Sequence, residues 1–141
     1  MFKIPKNFIL YVSIFVTGGC GLAYEYTLSK IASDILGNSV RQWAIIIAVM
    51  MFFMGIGSEL QKYIRNKKLL DKFILAELAL GLLGGFGPIA LLATYGQWQS
   101  HYILIQYFFI CSIGLLIGFE IPLLTRINEK YNDVLGSNLG N

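Results

Sequence analysis

Charged residues are scarce in this chain of 141 residues: Asp, Glu, Lys and Arg make up only 13%, whereas 56% of the residues are hydrophobic. Soluble domains contain about 25% charged residues, and a soluble fold of this length could not cover so much apolar surface. The composition therefore excludes an ordinary soluble domain. It predicts an all-α integral membrane protein whose main surroundings are the lipid bilayer.

Residues for metal binding, catalysis and nucleic-acid recognition are also scarce. The chain has one histidine, His101, and two cysteines, Cys20 and Cys111, without the spacing of a metal site. It has no nucleophile–base pair and no phosphate-binding loop, and no basic stripe with interleaved aromatic residues. We therefore predict no metal, no cofactor, no nucleic-acid partner and no catalytic activity for this chain.

Four apolar runs are each long enough to cross a bilayer, which takes about 20 residues. The predicted spans lie at about 7–28, 40–60, 70–94 and 102–124. Between the first two, segment 29–36 has apolar residues at helical spacing, interrupted by Lys30 and Asp34. That pattern predicts a short interfacial helix between spans 1 and 2, ended by Gly37-Asn38. Segment 128–141 is predicted to be a polar, turn-rich cytoplasmic tail.

Glycine is frequent in the third and fourth runs. Gly81 and Gly85, and likewise Gly114 and Gly118, are four residues apart and so share one helix face. This spacing predicts surfaces where helices pack closely. Pro88 predicts a break or kink in the third helix, because proline removes a backbone hydrogen-bond donor.

The basic residues indicate an orientation, because Lys and Arg are enriched in cytoplasmic loops. With the second loop inside, nine of the eleven Lys and Arg residues fall on the cytoplasmic side, and only Lys30 and Arg41 fall outside. The split predicts four transmembrane helices with both termini cytoplasmic. Glu25 lies near the outer end, and we expect ion pairing among Glu25, Lys30 and Arg41.

The other three glutamates in the runs, Glu59, Glu77 and Glu120, are predicted to lie at similar depth near the cytoplasmic face. An acid in a spanning helix costs about 2.5 kcal/mol or more at the centre and needs an explanation. One interpretation is a site for a cation or for proton transfer. The other is structural pairing, of Glu59 with Lys62 and of Glu120 with Arg126 or a basic residue of the second loop. Both interpretations remain open.

Three ordered motifs resemble the opening of membrane-bound spermidine-synthase-like proteins: GGCGLAYEY at 18–26, LGNS at 36–39 and GIGS at 55–58. AELALG at 76–81 and GFEIPLL at 118–124 also fit later spans of that family, so the resemblance covers most of the chain. It implies a multi-pass domain of the bacterial inner membrane. Family members usually continue with further spans and a cytosolic Rossmann-type aminopropyltransferase domain, which binds decarboxylated S-adenosylmethionine and a polyamine.

The catalytic residues of that domain are absent from this chain, so the resemblance implies a fragment, the product of a split gene or a standalone membrane part. We expect it to anchor or accompany a catalytic domain, as a homo-oligomer or with other membrane subunits. The acids would then offer a site for a polyamine or another organic cation. Two alternatives are a structural tetraspan subunit of a larger membrane assembly and a small oligomeric carrier of cations or polyamines.

Overall fold

The structure, a computed structural model, describes residues 6–63 and 69–139, and these ranges fold into helices joined by short connections. The helices are α1 (Lys6–Leu36), α2 (Ser39–Leu60), α3 (Leu69–Gln97) and α4 (Tyr102–Leu139). Single turns of 3₁₀ helix at Gln61–Tyr63 and Gln99–His101 follow α2 and precede α4. The all-α part of the predicted fold is confirmed.

Three helical segments of the described chain are long and apolar enough to cross a membrane: Ser39–Tyr63, Leu69–Gln97 and Gln99–Ile127. They coincide with the second, third and fourth predicted spans. The first predicted span, about 7–28, lies within α1 and stays a prediction, as does the orientation of the termini.

The separate interfacial helix predicted at 29–36 is wrong, because α1 continues unbroken to Leu36. No glycine or proline lies between Glu25 and Leu36, so nothing interrupts the backbone hydrogen bonds there. The predicted end is correct. Gly37 and Asn38 have φ angles of 71° and 48°, in the left-handed region that glycine and asparagine tolerate. The Asn38 side chain then caps α2 by accepting a hydrogen bond from the Arg41 backbone N–H.

The prolines of α3 and α4 do not end their helices. The predicted break at Pro88 is absent, since α3 is continuous through it, whereas the alternative of a kink there stays a prediction. Helix α4 is likewise continuous through Pro122. Segment 128–139 was expected to be turn-rich but continues α4 as helix up to Leu139. Its first glycine is Gly136, and the charged residues before it are compatible with helix, so polarity alone does not stop α4.

Helix α4 lies at the centre of the bundle and packs against α1, α2 and α3. Its most extensive contact is with α2. The shared core is built mainly from aliphatic side chains of all four helices, with Tyr102 and Phe109 of α4. Its largest buried members include Leu28, Ile46, Met50, Leu80, Leu91, Ile110 and Ile113.

Glycines bring the backbones of α2 and α4 into contact. A Cβ atom added at Gly114 would lie 2.7 Å from the Met50 carbonyl oxygen, and one at Gly118 would overlap the Met54 carbonyl oxygen. The packing surface predicted for this pair is confirmed. Gly81 and Gly85 instead face outward, with no described neighbouring atom within 4 Å of an added Cβ, so they pack no helix of this chain in its described part.

Candidate functional site

Glu120 of α4 is the only glutamate among the described residues whose side chain is fully buried, with 0% exposure. Neither of its carboxylate oxygens has a hydrogen-bond partner in the described part of the chain. Burying an unpaired carboxylate costs several kcal/mol. The group therefore requires neutralisation, by a proton or by a cation, which makes it the centre of the candidate site.

Glu77 of α3 lies within electrostatic range of Glu120. Its side chain is half-buried. Its Oε1 accepts a hydrogen bond of 2.7 Å from the hydroxyl of Thr17, a buried residue of α1. Three helices thus meet at two carboxylates, and the Thr17 hydroxyl fixes the position of one of them.

Tyr24 of α1 completes the site. Its phenol lies within electrostatic range of both Glu77 and Glu120, and its ring packs on Gly84 of α3, where an added Cβ would overlap it. Thr17 and Tyr24 are residues that the sequence analysis did not single out. Residues seven apart lie on the same face of a helix, but a helix with apolar residues and glycines all round does not reveal which face turns toward α3.

A groove of about 360 Å³ between α1 and α3 opens beside the site. Its walls are mainly apolar and include Val12 and Phe73, and its polar groups belong to Ser13, Thr17 and Glu77. The Glu77 carboxylate is therefore accessible from the surface of the bundle, whereas Glu120 is enclosed. Such an arrangement can hold a molecule with an apolar body and a positively charged end.

Glu59 does not join the other two acids. Its side chain is 62% exposed and forms an ion pair of 2.6 Å with Lys62, one turn later. This is the structural pairing that the sequence left open. The structure thus brings Glu77 and Glu120 together and leaves Glu59 on the surface.

Arg126 does not neutralise Glu120 through a hydrogen bond, because neither Glu120 oxygen accepts one in the described ranges. Its Nη1 instead donates a hydrogen bond of 3.3 Å to the carbonyl oxygen of Gln61, which links α4 to the end of α2. Of the basic residues of the second loop that were also considered as partners, Arg65, Lys67 and Lys68 lie outside the described residues. Lys62 pairs with Glu59, and Lys72 makes no hydrogen bond to Glu120, whose oxygens accept none in the described ranges.

The residues predicted near the outer face do not pair with one another in the described part of the chain. Lys30 forms an ion pair of 2.6 Å with Asp34, and this hydrogen bond raises the pKa of the Lys30 ammonium group. Glu25 is half-buried and makes no ion pair with Lys30 or Arg41 there.

The chemistry of the site is that of two carboxylates, a phenol and a hydroxyl. Within residues 6–63 and 69–139 no group of three or more His, Cys, Asp or Glu side chains could hold a metal ion. Cys20 and Cys111 are both free thiols. The arrangement is suited to binding a proton or an organic cation.

No protein-family model matches the chain, and no solved structure matches it. Curated relatives do match it, among them three polyamine aminopropyltransferases. A polyamine aminopropyltransferase of Leptospira interrogans is 43% identical over 121 residues, 86% of this chain and 24% of the relative. Polyamine aminopropyltransferase 2 of Aquifex aeolicus is 40% identical over 126 residues, 89% of this chain and 25% of the relative.

Polyamine aminopropyltransferase 2 of Ralstonia nicotianae is 37% identical over 133 residues, 92% of this chain and 26% of the relative. The chain spans about a quarter of the length of the curated relatives that it matches. These matches confirm the resemblance to spermidine-synthase-like proteins. Over most of its length, the chain is therefore homologous to proteins named polyamine aminopropyltransferase, and the match covers about a quarter of the length of each.

Proposed function

We propose that this chain is the membrane domain of a polyamine-aminopropyltransferase-like protein and that it anchors or accompanies a catalytic domain. The observation that carries the proposal is that the chain matches only part of the Leptospira relative. The two are 43% identical over a stretch that makes up 86% of this chain and only 24% of the relative. The remaining three quarters of such a protein leave ample length for a catalytic domain. The domain has four transmembrane helices with both termini cytoplasmic, in the bacterial inner membrane.

The outer surface of the bundle supports a bilayer location, because large apolar side chains cover it. Those exposed by half or more include Phe15, Leu22, Met51, Phe52, Leu75, Leu82, Phe86, Ile89, Leu104 and Phe108. Soluble monomers rarely expose contiguous apolar patches larger than a few hundred Å². Such a surface is expected of a protein that is surrounded by lipid.

The orientation is tested by reporter fusions placed at the ends of the helices. Green fluorescent protein folds in the cytoplasm, so it should fluoresce when fused after Tyr63. Alkaline phosphatase folds outside the cytoplasm, so it should be active when fused after Ser100 and inactive when fused after Tyr63. The expectation follows from the excess of Lys and Arg around the second loop. Active phosphatase after Tyr63 would contradict the proposed topology.

Anchoring is tested on the protein purified from its native membrane. We expect an intact mass well above 15.8 kDa, or a co-purifying catalytic partner, together with aminopropyl-transfer activity that stays in the membrane after a high-salt wash. Deleting residues 1–127, together with any membrane spans that follow them in the intact protein, should move that activity to the soluble fraction. A mass of 15.8 kDa with no partner and no activity would refute anchoring.

We further propose that Glu77 and Glu120 form a binding site for an organic cation such as a polyamine. Two observations support it: Glu120 is buried without a hydrogen-bond partner among the described residues, and Glu77 opens onto a largely apolar groove. A polyamine has a methylene chain for the groove and ammonium groups for the carboxylates. Intramembrane acids usually face the interior of a bundle and mark such pathways.

The cation site is tested by isothermal titration of detergent-solubilised protein with spermidine. Glu77→Gln and Glu120→Gln each remove one charge with little change of shape, and each should weaken binding at least about tenfold, or about 1.4 kcal/mol. Glu59→Gln is the matched control, because that surface glutamate lies outside the site. Unchanged affinity in both site variants would refute the proposal.

A carrier is a second candidate function, favoured by the enclosed position of Glu120. A carrier must move its cargo past such a group and release it on the other side. Uptake of labelled spermidine into proteoliposomes, abolished by Glu120→Gln, would establish transport. Binding without uptake would leave the site as part of an anchoring domain.

A further inference from the structure

A second pocket, of about 300 Å³, lies far from the two carboxylates. It is formed where the end of α1 meets the first turns of α2 and α4. Its polar lining comes from Arg41 and Gln42 of α2 and from Gln106 and Tyr107 of α4. At a rise of 1.5 Å per residue, Gln106 is about 21 Å along α4 from Glu120. The pocket is therefore independent of the cation site.

Gln106 is a buried polar side chain with an unused acceptor. It is only 2% exposed, and its Oε1 has no hydrogen-bond partner among the described residues. Buried amide oxygens are nearly always paired. Since Gln106 lines the pocket, a molecule there with an N–H or O–H group would complete its hydrogen bonding.

Arg41 adds a positive charge to the same pocket. In the described part of the chain, no carboxylate lies within ion-pair distance of its guanidinium group. The nearby Lys30 and Asp34 are already paired with each other. A guanidinium group binds phosphate and carboxylate groups in preference to other anions. The pocket thus presents a cation and a hydrogen-bond acceptor, which together match a ligand with one anionic group and one N–H donor.

The position of the pocket indicates where that ligand comes from. It lies in the first turns of Ser39–Tyr63 and Gln99–Ile127, two of the segments able to cross a membrane. Under the proposed membrane location, these turns are at the depth of lipid headgroups. The volume is at the lower end of the range of about 300–1,000 Å³ for ligand pockets, which suits a headgroup.

We propose that this pocket binds the phosphoethanolamine headgroup of a phospholipid. The Arg41 guanidinium group pairs with the phosphate, and the Gln106 Oε1 accepts a hydrogen bond from the ammonium group. Gln42 and Tyr107 supply further hydrogen-bonding groups around the phosphate. This inference depends on the proposed bilayer location and does not depend on the cation site.

The test measures lipid binding to the detergent-purified chain by native mass spectrometry, with phosphatidylethanolamine and phosphatidylcholine of identical acyl chains. The two headgroups differ at the nitrogen, and only phosphatidylethanolamine has N–H donors for Gln106. We expect the wild-type protein to prefer phosphatidylethanolamine at least tenfold. Gln106→Met should abolish that preference, and Arg41→Gln should weaken binding of both lipids. Lys62→Gln, at the other end of the bundle, is the matched control.

Three outcomes would overturn the proposal. They are equal binding of both lipids by the wild-type protein, unchanged binding in Arg41→Gln, and binding of free phosphoethanolamine as tight as that of the lipid, which would indicate a soluble ligand. Arg41 is exposed, so Arg41→Gln should fold even where Gln106→Met does not. The reporter fusions test the bilayer location separately, so failure of lipid binding is distinguishable from failure of that location.

Discussion

The contact between α2 and α4 differs in kind from the contact between α1 and α3. In the first, glycines at 57, 114 and 118 let the two backbones touch, and an added Cβ at any of them would meet a carbonyl oxygen of the other helix. In the second, side chains mediate the contact, namely the Thr17–Glu77 hydrogen bond and the Tyr24 ring on Gly84. An open groove remains between α1 and α3.

The difference separates a rigid half of the bundle from an adaptable one. Backbone contacts leave no rotatable bond to absorb a change, whereas side-chain contacts can rearrange at a small cost. Binding elements are usually drawn from the less stable parts of a protein. The accessible carboxylate, Glu77, lies on the adaptable side, and the enclosed one, Glu120, lies on the helix that the rigid contact holds.

The largest effect should follow from Gly118→Ala, which places a methyl group against the Met54 carbonyl oxygen. Neither backbone can move without displacing its whole helix. We therefore expect a loss of about 3 kcal/mol in the free energy of unfolding, at the upper end of the usual cost of overpacking. Thermal unfolding of the purified protein in detergent, followed by circular dichroism, measures it as a lower Tm.

The matched control is Gly81→Ala, because Gly81 faces outward and an added Cβ has free space in the described structure. Alanine is the better helix former by about 0.5–1 kcal/mol, so this variant should be as stable as the wild type or slightly more stable. If Gly118→Ala were as stable as Gly81→Ala, α2 and α4 would not approach as closely as described.

A smaller effect is expected from Gly84→Ala on the adaptable side. The added methyl group overlaps the Tyr24 ring, but that ring is the end of a side chain that can turn away. We expect a loss of about 1–2 kcal/mol, with weaker spermidine binding because the phenol leaves the two carboxylates.

Tyr24→Ala combined with Gly84→Ala provides the check, through a double-mutant cycle. Without the ring, Gly84→Ala should cost almost nothing, so the two substitutions should be strongly non-additive. Additive losses would show that the ring does not lie on Gly84.

The positions of the helices were predictable where a long apolar run decides them. The predicted spans at 40–60 and 70–94 differ from α2 and α3 by at most three residues at either end. The lengths of α1 and α4 were not predictable in this way, because Lys30, Asp34 and the polar residues after Ile127 mark the end of an apolar run and do not end a helix. The break predicted at Pro88 is absent for a related reason, since one missing backbone hydrogen bond is tolerated in a long helix that neighbours support.

The candidate site was predictable only in part. Glu77 and Glu120 stand out as acids within apolar runs, whereas Lys62, three residues after Glu59, already indicated a surface ion pair. The roles of Thr17 and Tyr24 depend on which face α1 turns toward α3, and a helix with glycines and apolar residues all round does not reveal that face. Their contribution therefore required the packed structure.

The smallest of these effects should come from Thr17→Val, which keeps the shape of the side chain and removes the hydrogen bond of 2.7 Å to Glu77. One hydrogen bond at a half-buried carboxylate contributes about 1 kcal/mol, so the Tm should fall slightly. Spermidine affinity should rise a few-fold, because the hydroxyl no longer competes with the ammonium group for Oε1. Thr17→Ser keeps the donor and should match the wild type in both measurements. If affinity falls along with stability in Thr17→Val, the hydroxyl positions Glu77 for the cation instead of competing with it.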